Sequence, residues 1–432
     1  MSHNINKVLL FLLSIFVLVF VDDSSVKSYI YILGLIIISS HFLFKDLATR
    51  AFYYFHTYLF VAILLFIIFK EQIPLYLGMT GPEGGIGTDD CRYYAQIVGG
   101  VGIPYTIQVS TTDIFHFSKL LKFLYPFSVQ TPLNIVILNL YFITLLPIYV
   151  FLLTKTIFDD DETAKIASCL SFLCPFTMYF GCIIMREGFI ATLIVAGMYY
   201  FLIKRYWLLL LCILGISFIR FGSILFLLLG LLCLYRIQML EMGRKQLFNW
   251  IIVFFFLFIV FIFPHLSELT EGKFSGNLYR ETGEFWEGST IGQLTKMPFP
   301  LNVVCTTLFF IYIPFLSFPK TVEGLYIAGN FFQGFFTPIF MLCIWKYVYN
   351  AVLSARKGYN EYLYHIVLYV LMSAFLLGTV SLQSRHKTML FPFICILGAY
   401  GMVNYNQEEH KLTTILYAIT LIANLVFFIN TI

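Results

Sequence analysis

Apolar runs of about twenty residues recur along this chain, and nothing constrains its fold more. A hydrocarbon core of roughly 30 Å is crossed by about 20 residues of helix. Lipid offers no partner to a backbone N–H or C=O, so each such run must close its hydrogen bonds internally, as a helix. Residues 28–44, 52–69, 133–154, 330–348 and 363–382 meet this description, and Lys346 is the one Lys, Arg, Asp or Glu in them. Charged residues make up only 12% of the chain against 60% hydrophobic, about half the charge of a soluble domain. The chain is therefore expected to be an all-α, polytopic transmembrane protein. Its net charge of +4 is scattered over loops, which argues against a nucleic-acid partner.

Taken in order, residues 8–21 read as a first span. Lys7 precedes them, as in a signal peptide, but no small-residue cleavage site follows, so the helix is expected to be retained. Asp22 to Ser25 turn the chain into 28–44. Lys45 and Arg50 mark the next loop as cytoplasmic by the positive-inside rule. The span 52–69 then delivers the chain to the outside.

There, a polar segment at 70–128 holds Gly84-Gly85-Ile86-Gly87-Thr88-Asp89-Asp90-Cys91-Arg92-Tyr93-Tyr94. Phe117, Leu120, Leu121 and Leu124 follow at helical spacing, with Ser118, Lys119 and Lys122 on the other side. That is an amphipathic helix too short to span and suited to the interface. After 133–154, the acidic run Asp159 to Glu162 reads as a solvated cytoplasmic turn.

Two short hairpins come next. The first runs out over 166–184 and back over 188–203, with Arg186 and Glu187 at its tip. The second runs over 207–218 and 222–235 with Arg220 at its tip. A span at 249–263 leads to a second external polar segment, 265–298, which contains Arg280. The apolar stretch 299–318 is interrupted by prolines and reads as re-entrant or interfacial rather than spanning. The spans 330–348, 363–382 and 388–404 and a last helix complete about eleven or twelve crossings in a single transmembrane domain, 1–432. Arg385 and His386 fall in the last external turn.

The cysteines lie mostly in apolar runs, Cys91 being the clear loop cysteine, so neither a disulfide framework nor metal-ligand spacing is expected. No cofactor motif stands out. What does stand out is arginine on the outer face, contrary to the usual bias. Arg92, Arg186, Arg220, Arg280 and Arg385 surround an acidic loop, and arginine clamps phosphate oxygens bidentately. Such a set suits a lipid-linked diphosphate, with Asp89, Asp90 or Glu187 as a base or electrostatic partner of the reacting hydroxyl. Tyr93 could stack on a sugar, and His386 adds a polar group beside Arg385. Each has a plainer reading: a polar turn for Asp89–Asp90, a local ion pair for Arg186–Glu187, a buried salt bridge for Arg220, and a solvated interface residue for His386.

The order of these features resembles the Wzy-type polysaccharide polymerases, particularly their EpsG-like branch. The residues that carry the resemblance are Gly87-Thr88-Asp89 with Tyr93 or Tyr94, the segment 117–124, Met185-Arg186-Glu187-Gly188-Phe189-Ile190-Ala191, Arg220 in the next hairpin, and Arg385 before an apolar span. Arg220 departs from the pattern, in which a histidine or similar polar residue often stands.

The resemblance implies a glycosyltransferase of the bacterial inner membrane with a GT-C-like architecture. It would join oligosaccharide units carried on undecaprenyl diphosphate into O-antigen, capsule or exopolysaccharide, with a chain-length regulator as a further partner. Arg186, Arg220 and Arg385 would hold the donor diphosphate, and Asp89 or Asp90 would sit near the acceptor hydroxyl. Two alternatives stay open. One is a GT-C glycosyltransferase using a polyprenyl-phosphate sugar, with Asp89–Asp90 as its metal site. The other is a flippase for lipid-linked oligosaccharide.

Overall fold

The computed structural model describes residues 11–12, 15, 23–69, 89–98, 112–129, 131–241, 297–298, 301–312, 315–317, 331–357, 360–380, 384–405 and 410–431. Every regular element among them is helical, as the apolar runs require. Helices α1 (Asp23–Phe42) and α2 (Ala48–Phe69) flank the 3-10 turn Lys45–Leu47. The short α3 (Asp89–Val98) and α4 (Thr112–Leu124) precede α5 (Pro132–Phe158). Then come α6 (Asp161–Leu173), α7 (Pro175–Gly181), α8 (Arg186–Leu202), α9 (Tyr206–Ile219) and α10 (Ile224–Glu241). The last group is α11 (Leu301–Tyr312), α12 (Thr337–Arg356) with a π-turn at Phe332–Phe336, α13 (Glu361–Val380), α14 (Phe391–Val403) and α15 (His410–Thr431).

Six described helices are long and apolar enough to cross a membrane, or seven if the bent pair α7–α8 counts as one span. The chain is a multi-pass membrane protein. The count falls short of the expected eleven or twelve for a physical reason. Helices α9, α10 and α14 have apolar stretches of 10–17 residues, too short to pass the test alone. The expected span at 8–21 apart from Phe11, Leu12 and Ile15, the span at 249–263, and the external segment 265–298 apart from its last two residues lie outside the described residues.

Helix α5 is the centre. It is 27 residues long, about 40 Å at 1.5 Å per residue, and is buried along most of its length against α1, α2, α6, α7 and α8. Its two ends identify the two membrane ends of the bundle. At the first, Thr131 and Asn134 form a capping box, and the Asn134 amide also donates to the Ser24 and Ser28 hydroxyls of α1 at 3.1 and 3.2 Å. Helix α4 finishes at this end, because the Tyr31 hydroxyl donates to the Leu124 carbonyl at 2.7 Å. At the second end, Arg50 lies over the Phe151 ring at 4.5 Å, and Lys155 pairs with Asp161 at 2.8 Å.

The acidic run at that second end is a solvated turn, as expected, and it has a local task. Asp159 is in the left-handed region at φ 51°, which stops α5. Asp160 caps α6 by accepting from the Glu162 and Thr163 N–H groups at 3.1 and 2.9 Å. Hydrogen bonds from the Thr163 hydroxyl and N–H hold the Asp160 carboxyl below the usual carboxylate range.

Within the stretch 299–318, helix α11 has 12 residues, about 18 Å, and residues 299–300, 313–314 and 318 lie outside the described ones. The extended piece after it obtains its backbone bonds from other elements: Leu316 N–H donates to Asn424 Oδ1 at 3.1 Å and Ser317 N–H to the Gly334 carbonyl at 2.7 Å. Irregular backbone at membrane depth is tolerated only with such partners. Two of the sequence expectations are corrected by the fold. Asp89, Asp90 and Cys91 open helix α3 rather than lying in a loop, and Cys91 is fully buried. Ser118 faces inward and donates to Gln96 at 2.7 Å, while Lys119 and Lys122 face outward as read.

Helices α12 and α14 meet backbone to backbone. A Cβ on Gly401 would lie 1.9 Å from the Tyr347 carbonyl oxygen, and the Asn350 amide donates to the Gly401 and Asn404 carbonyls at 3.1 Å each. Neither helix can yield without losing these bonds. Gly401→Ala should therefore destabilise the protein by about 1–3 kcal/mol, seen as a lower midpoint of unfolding in detergent. An unchanged midpoint would refute the close approach.

Candidate functional site

The break between α7 and α8 builds the site. Pro175 begins α7, which ends after seven residues, and the chain turns through 117° before α8 starts at Arg186. Inside a membrane such a break frees carbonyls that a continuous helix would have satisfied. Asn139, fully buried on α5, meets them: its amide nitrogen donates to the Phe180, Gly181 and Ile183 carbonyls at 3.1, 3.2 and 2.7 Å. Gly188 lets α8 close on α5, since a Cβ there would sit 2.0 Å from the Ile143 side chain. The Thr192 hydroxyl, one turn further, donates to the Phe142 carbonyl at 3.0 Å.

These contacts also fix the depth of the tip. Ile143 is three turns into α5, about 16 Å from its first residue. The first hairpin tip therefore lies well inside the length of α5, not at its end as the hairpin pattern alone implies. The Arg186 side chain is 8% exposed, and its Nε and Nη1 have no hydrogen-bond partner among the described residues. Glu187 is 1% exposed and its Oε2 likewise has none. Met185, the N-cap, contributes no side-chain bond, so the first N–H groups of α8 end at this point.

The second hairpin brings Arg220 to the same place. Helix α9 packs on α8 and ends at Arg220, whose extended backbone (φ −159°, ψ 98°) turns the chain toward α10 through the 3-10 turn Phe221–Ser223. Its Nη1 stands 4.0 Å from Glu187 Oε1. That is the limit of an ion pair, so the salt-bridge reading holds only in a loose form. A 3-10 turn at Ser384–Met389 also packs on α8. It carries Arg385 in its backbone, and His386 is buried there at 4% exposure rather than solvated.

Lys387, on the same turn, is not singled out by the sequence. It is fully buried, donates to the Ile311 carbonyl near the end of α11, and lies 5.5 Å from the Phe391 ring centroid. Sequence reasoning also misses Asn139. An asparagine within an apolar run is the only sequence signal for it, and that signal does not say which carbonyls it serves.

The other expected residues lie apart from this group or beyond description. Asp89 and Arg92 are on α3 and Arg385 on its turn, with side chains outside the described set, as is the whole of Arg280. Asp90 is buried in the first turn of α3, where a carboxylate suits the helix dipole. Tyr93 is 1% exposed and meets Phe117 edge-on at 5.0 Å, so its ring has no face for a sugar. Helices α3 and α4 approach the site through α9: His116 stacks on Phe218 at 5.0 Å, two residues before Arg220.

Among the described residues no group of three or more His, Cys, Asp or Glu is placed to hold a metal ion. The charges that do converge are two guanidiniums, one carboxylate and a helix N-terminus, with a buried lysine on the adjoining turn. An oxyanion with several acceptor oxygens completes such a set, because it can take the unpartnered Arg186 N–H groups and the helix N–H groups together. Comparison with family models, curated proteins and solved structures finds no match for the chain.

Asn139→Leu keeps the volume of the side chain and removes the donor to three carbonyls. It should destabilise the protein by at least about 2 kcal/mol and expose Cys182, fully buried at the break, to a membrane-permeant maleimide. Cys182 labelling that stays at the wild-type level, read by peptide mapping, would show that Asn139 does not hold the break.

Proposed function

We propose that this protein is a polymerase of lipid-linked oligosaccharide. It acts at the outer face of a bacterial inner membrane, joining repeat units carried on undecaprenyl diphosphate into O-antigen, capsule or exopolysaccharide. The observation that carries the reading is the meeting of Arg186, Glu187 and Arg220 at the tips of two short hairpins within the membrane. Arginines held at that depth are costly, and an incompletely bonded one is more so. A diphosphate headgroup offsets that cost and explains why the chain keeps them.

In this reading the acceptor hydroxyl attacks the anomeric carbon of the donor sugar, and the bond from that carbon to the diphosphate oxygen breaks. Glu187, or Asp89 or Asp90 from α3, takes the hydroxyl proton. The diphosphate leaves as an anion held by Arg186 and Arg220, with Arg385 and His386 on the adjoining turn and Arg92 and Arg280 as further arginines of the outer face. No cofactor is required. A chain-length regulator and a GT-C-like architecture belong to the same proposal.

One observation favours a second reading. Broken helices and charges near mid-depth are also features of transporters for lipid-linked substrates, so translocation of the same substrate is the competing function.

The test is reconstitution of the purified protein in vesicles with undecaprenyl-diphosphate-linked repeat units, with and without EDTA. Glycan ladders that survive chelation are expected. Arg186→Lys and Arg220→Lys should slow elongation by about 10- to 150-fold, the equivalent of one charged hydrogen bond, with the protein still folded. Wild-type rates in both variants would remove the diphosphate clamp. Transfer only from a polyprenyl-phosphate sugar and only with metal would move the function to a GT-C glycosyltransferase at Asp89–Asp90. Movement of the intact lipid-linked unit without elongation would make the protein a transporter.

A further inference from the structure

Helix α9 has two distinct sides. Leu208, Leu209, Cys212, Ile216 and Ile219 are buried, on the side where Cys212 approaches Gly197 of α8, 3.5 Å from where a Cβ there would stand. Trp207, Leu210, Leu211 and Leu214 are exposed, and they recur at i, i+3, i+4 and i+7, one stripe of a helix. In a bilayer such an apolar stripe is the lipid-facing side. It runs from Trp207, 64% exposed, up to Phe218, where His116 of α4 stacks on it.

The start of the stripe lies at the membrane end marked by Lys155 and Asp161. Tyr200 bonds Tyr149 two residues before α8 ends, and the chain then turns with Lys204 in the left-handed region at φ 59°. The Arg205 N–H closes the turn on the Tyr200 carbonyl at 2.9 Å. Lys204, Arg205 and Tyr206 are all exposed. Being consecutive with Trp207, they stand at the head of the lipid-facing stripe. Glu187 is the only Asp or Glu in 186–235, and it lies at the opposite end of the hairpins, so neither hairpin offers the two cations a carboxylate.

Two cations and two aromatic rings at the head of a lipid-facing stripe match one occupant. Tyr and Trp rings favour the headgroup level, and each Lys or Arg near an anionic leaflet is drawn to it. We propose that Lys204, Arg205, Tyr206 and Trp207 form a binding site for an anionic phospholipid of the leaflet at that end. Its phosphate sits on Lys204 and on the guanidinium fork of Arg205, and its acyl chains lie along Leu210, Leu211 and Leu214. Such an anchor also bears on the depth of the Arg220 tip. Helix α9 has 14 residues, about 21 Å, so a start held at headgroup level keeps Arg220 short of the far side of a hydrocarbon core of roughly 30 Å.

The experiment reconstitutes the full chain in phosphatidylcholine vesicles. It measures quenching of Trp207 fluorescence by phosphatidylglycerol or phosphatidylcholine brominated on the acyl chains, with Trp207→Phe giving the share of the other tryptophans. Brominated phosphatidylglycerol should quench Trp207 more strongly at equal mole fraction, and salt should weaken the preference. Lys204→Gln with Arg205→Gln should reduce it about fivefold for each charge, the equivalent of about 1 kcal/mol each, and Lys204→Arg with Arg205→Lys should keep it. Lys165→Gln, an exposed site on α6 at the same membrane end, should leave it unchanged. Equal quenching by the two lipids overturns the proposal, as does an unaltered preference in the double glutamine variant. An equal loss in Lys165→Gln also overturns it, since overall charge alone would then act, and a Trp207 that neither lipid quenches would put protein rather than lipid on this face.

Discussion

A helix that breaks inside a membrane must find partners for its freed backbone groups, and one amide does this for the α7–α8 break. Asn139 gathers the Phe180, Gly181 and Ile183 carbonyls where no water reaches them. Without that donor, the lower-energy course for 175–202 would be a continuous apolar helix with Arg186 and Glu187 in its middle, facing whatever the helix packs on. With it, α8 starts afresh at Arg186, and its first turn carries the two charges. Arg220 then reaches Glu187 only because α9 also ends at that level. The site is thus a consequence of where two helices stop, and α5 holds the first of those stopping points.

The electrostatics follow from the same geometry. A carboxylate and a guanidinium 4.0 Å apart at low exposure attract strongly but do not satisfy each other's hydrogen bonds, so the pair can accommodate a third group. The adjacent Arg186 has two nitrogens with no hydrogen-bond partner among the described residues, and with two guanidiniums to one carboxylate the local balance is positive before Lys387 is counted. Lys387 is engaged differently: its bond to the Ile311 carbonyl neutralises the negative end of α11, so it ties α11 to the turn carrying Arg385 and His386. Of the buried cations at the site, Arg186 keeps open hydrogen-bonding capacity for a ligand, and Lys387 binds the fold together.

Much of this is legible in the sequence, and the unread parts share a cause. Apolar length locates α1, α2, α5, α12, α13 and α15, and period-3.6 spacing locates α4 with its lysines outward, because both signals are local. The hairpin tips are also readable, since a charge between two short apolar arms marks a reversal. Depth is not readable. Placing Arg186 three turns below the start of α5 depends on Gly188 meeting Ile143 and on Asn139 reaching 44 residues ahead to Ile183, and no local pattern encodes those pairings. Tyr93 and Cys91 are misplaced by local reasoning for a related cause. Glycines before Asp89 signal a loop, but Asp89 and Asp90 also favour a helix start, and α4 supplies the cover that buries Cys91 and Tyr93.

The hairpins bear on which kind of function the charges serve. Both start from the membrane end marked by Arg50, Lys155 and Asp161, and both turn back before the other end. Helix α9 rises 14 residues, about 21 Å, less than the hydrocarbon thickness. Helix α8 returns far enough for Tyr200 to bond Tyr149, close to the last turns of α5. Intact helix therefore lies between the charges and one end, while the broken ends face the other, where α4 and the start of α5 sit. A translocation path has to open alternately to both sides, with helices interrupted at mid-depth and continued beyond it. Arms that stop and reverse would suit the proposed polymerase, an enzyme that draws a lipid-borne headgroup from one leaflet.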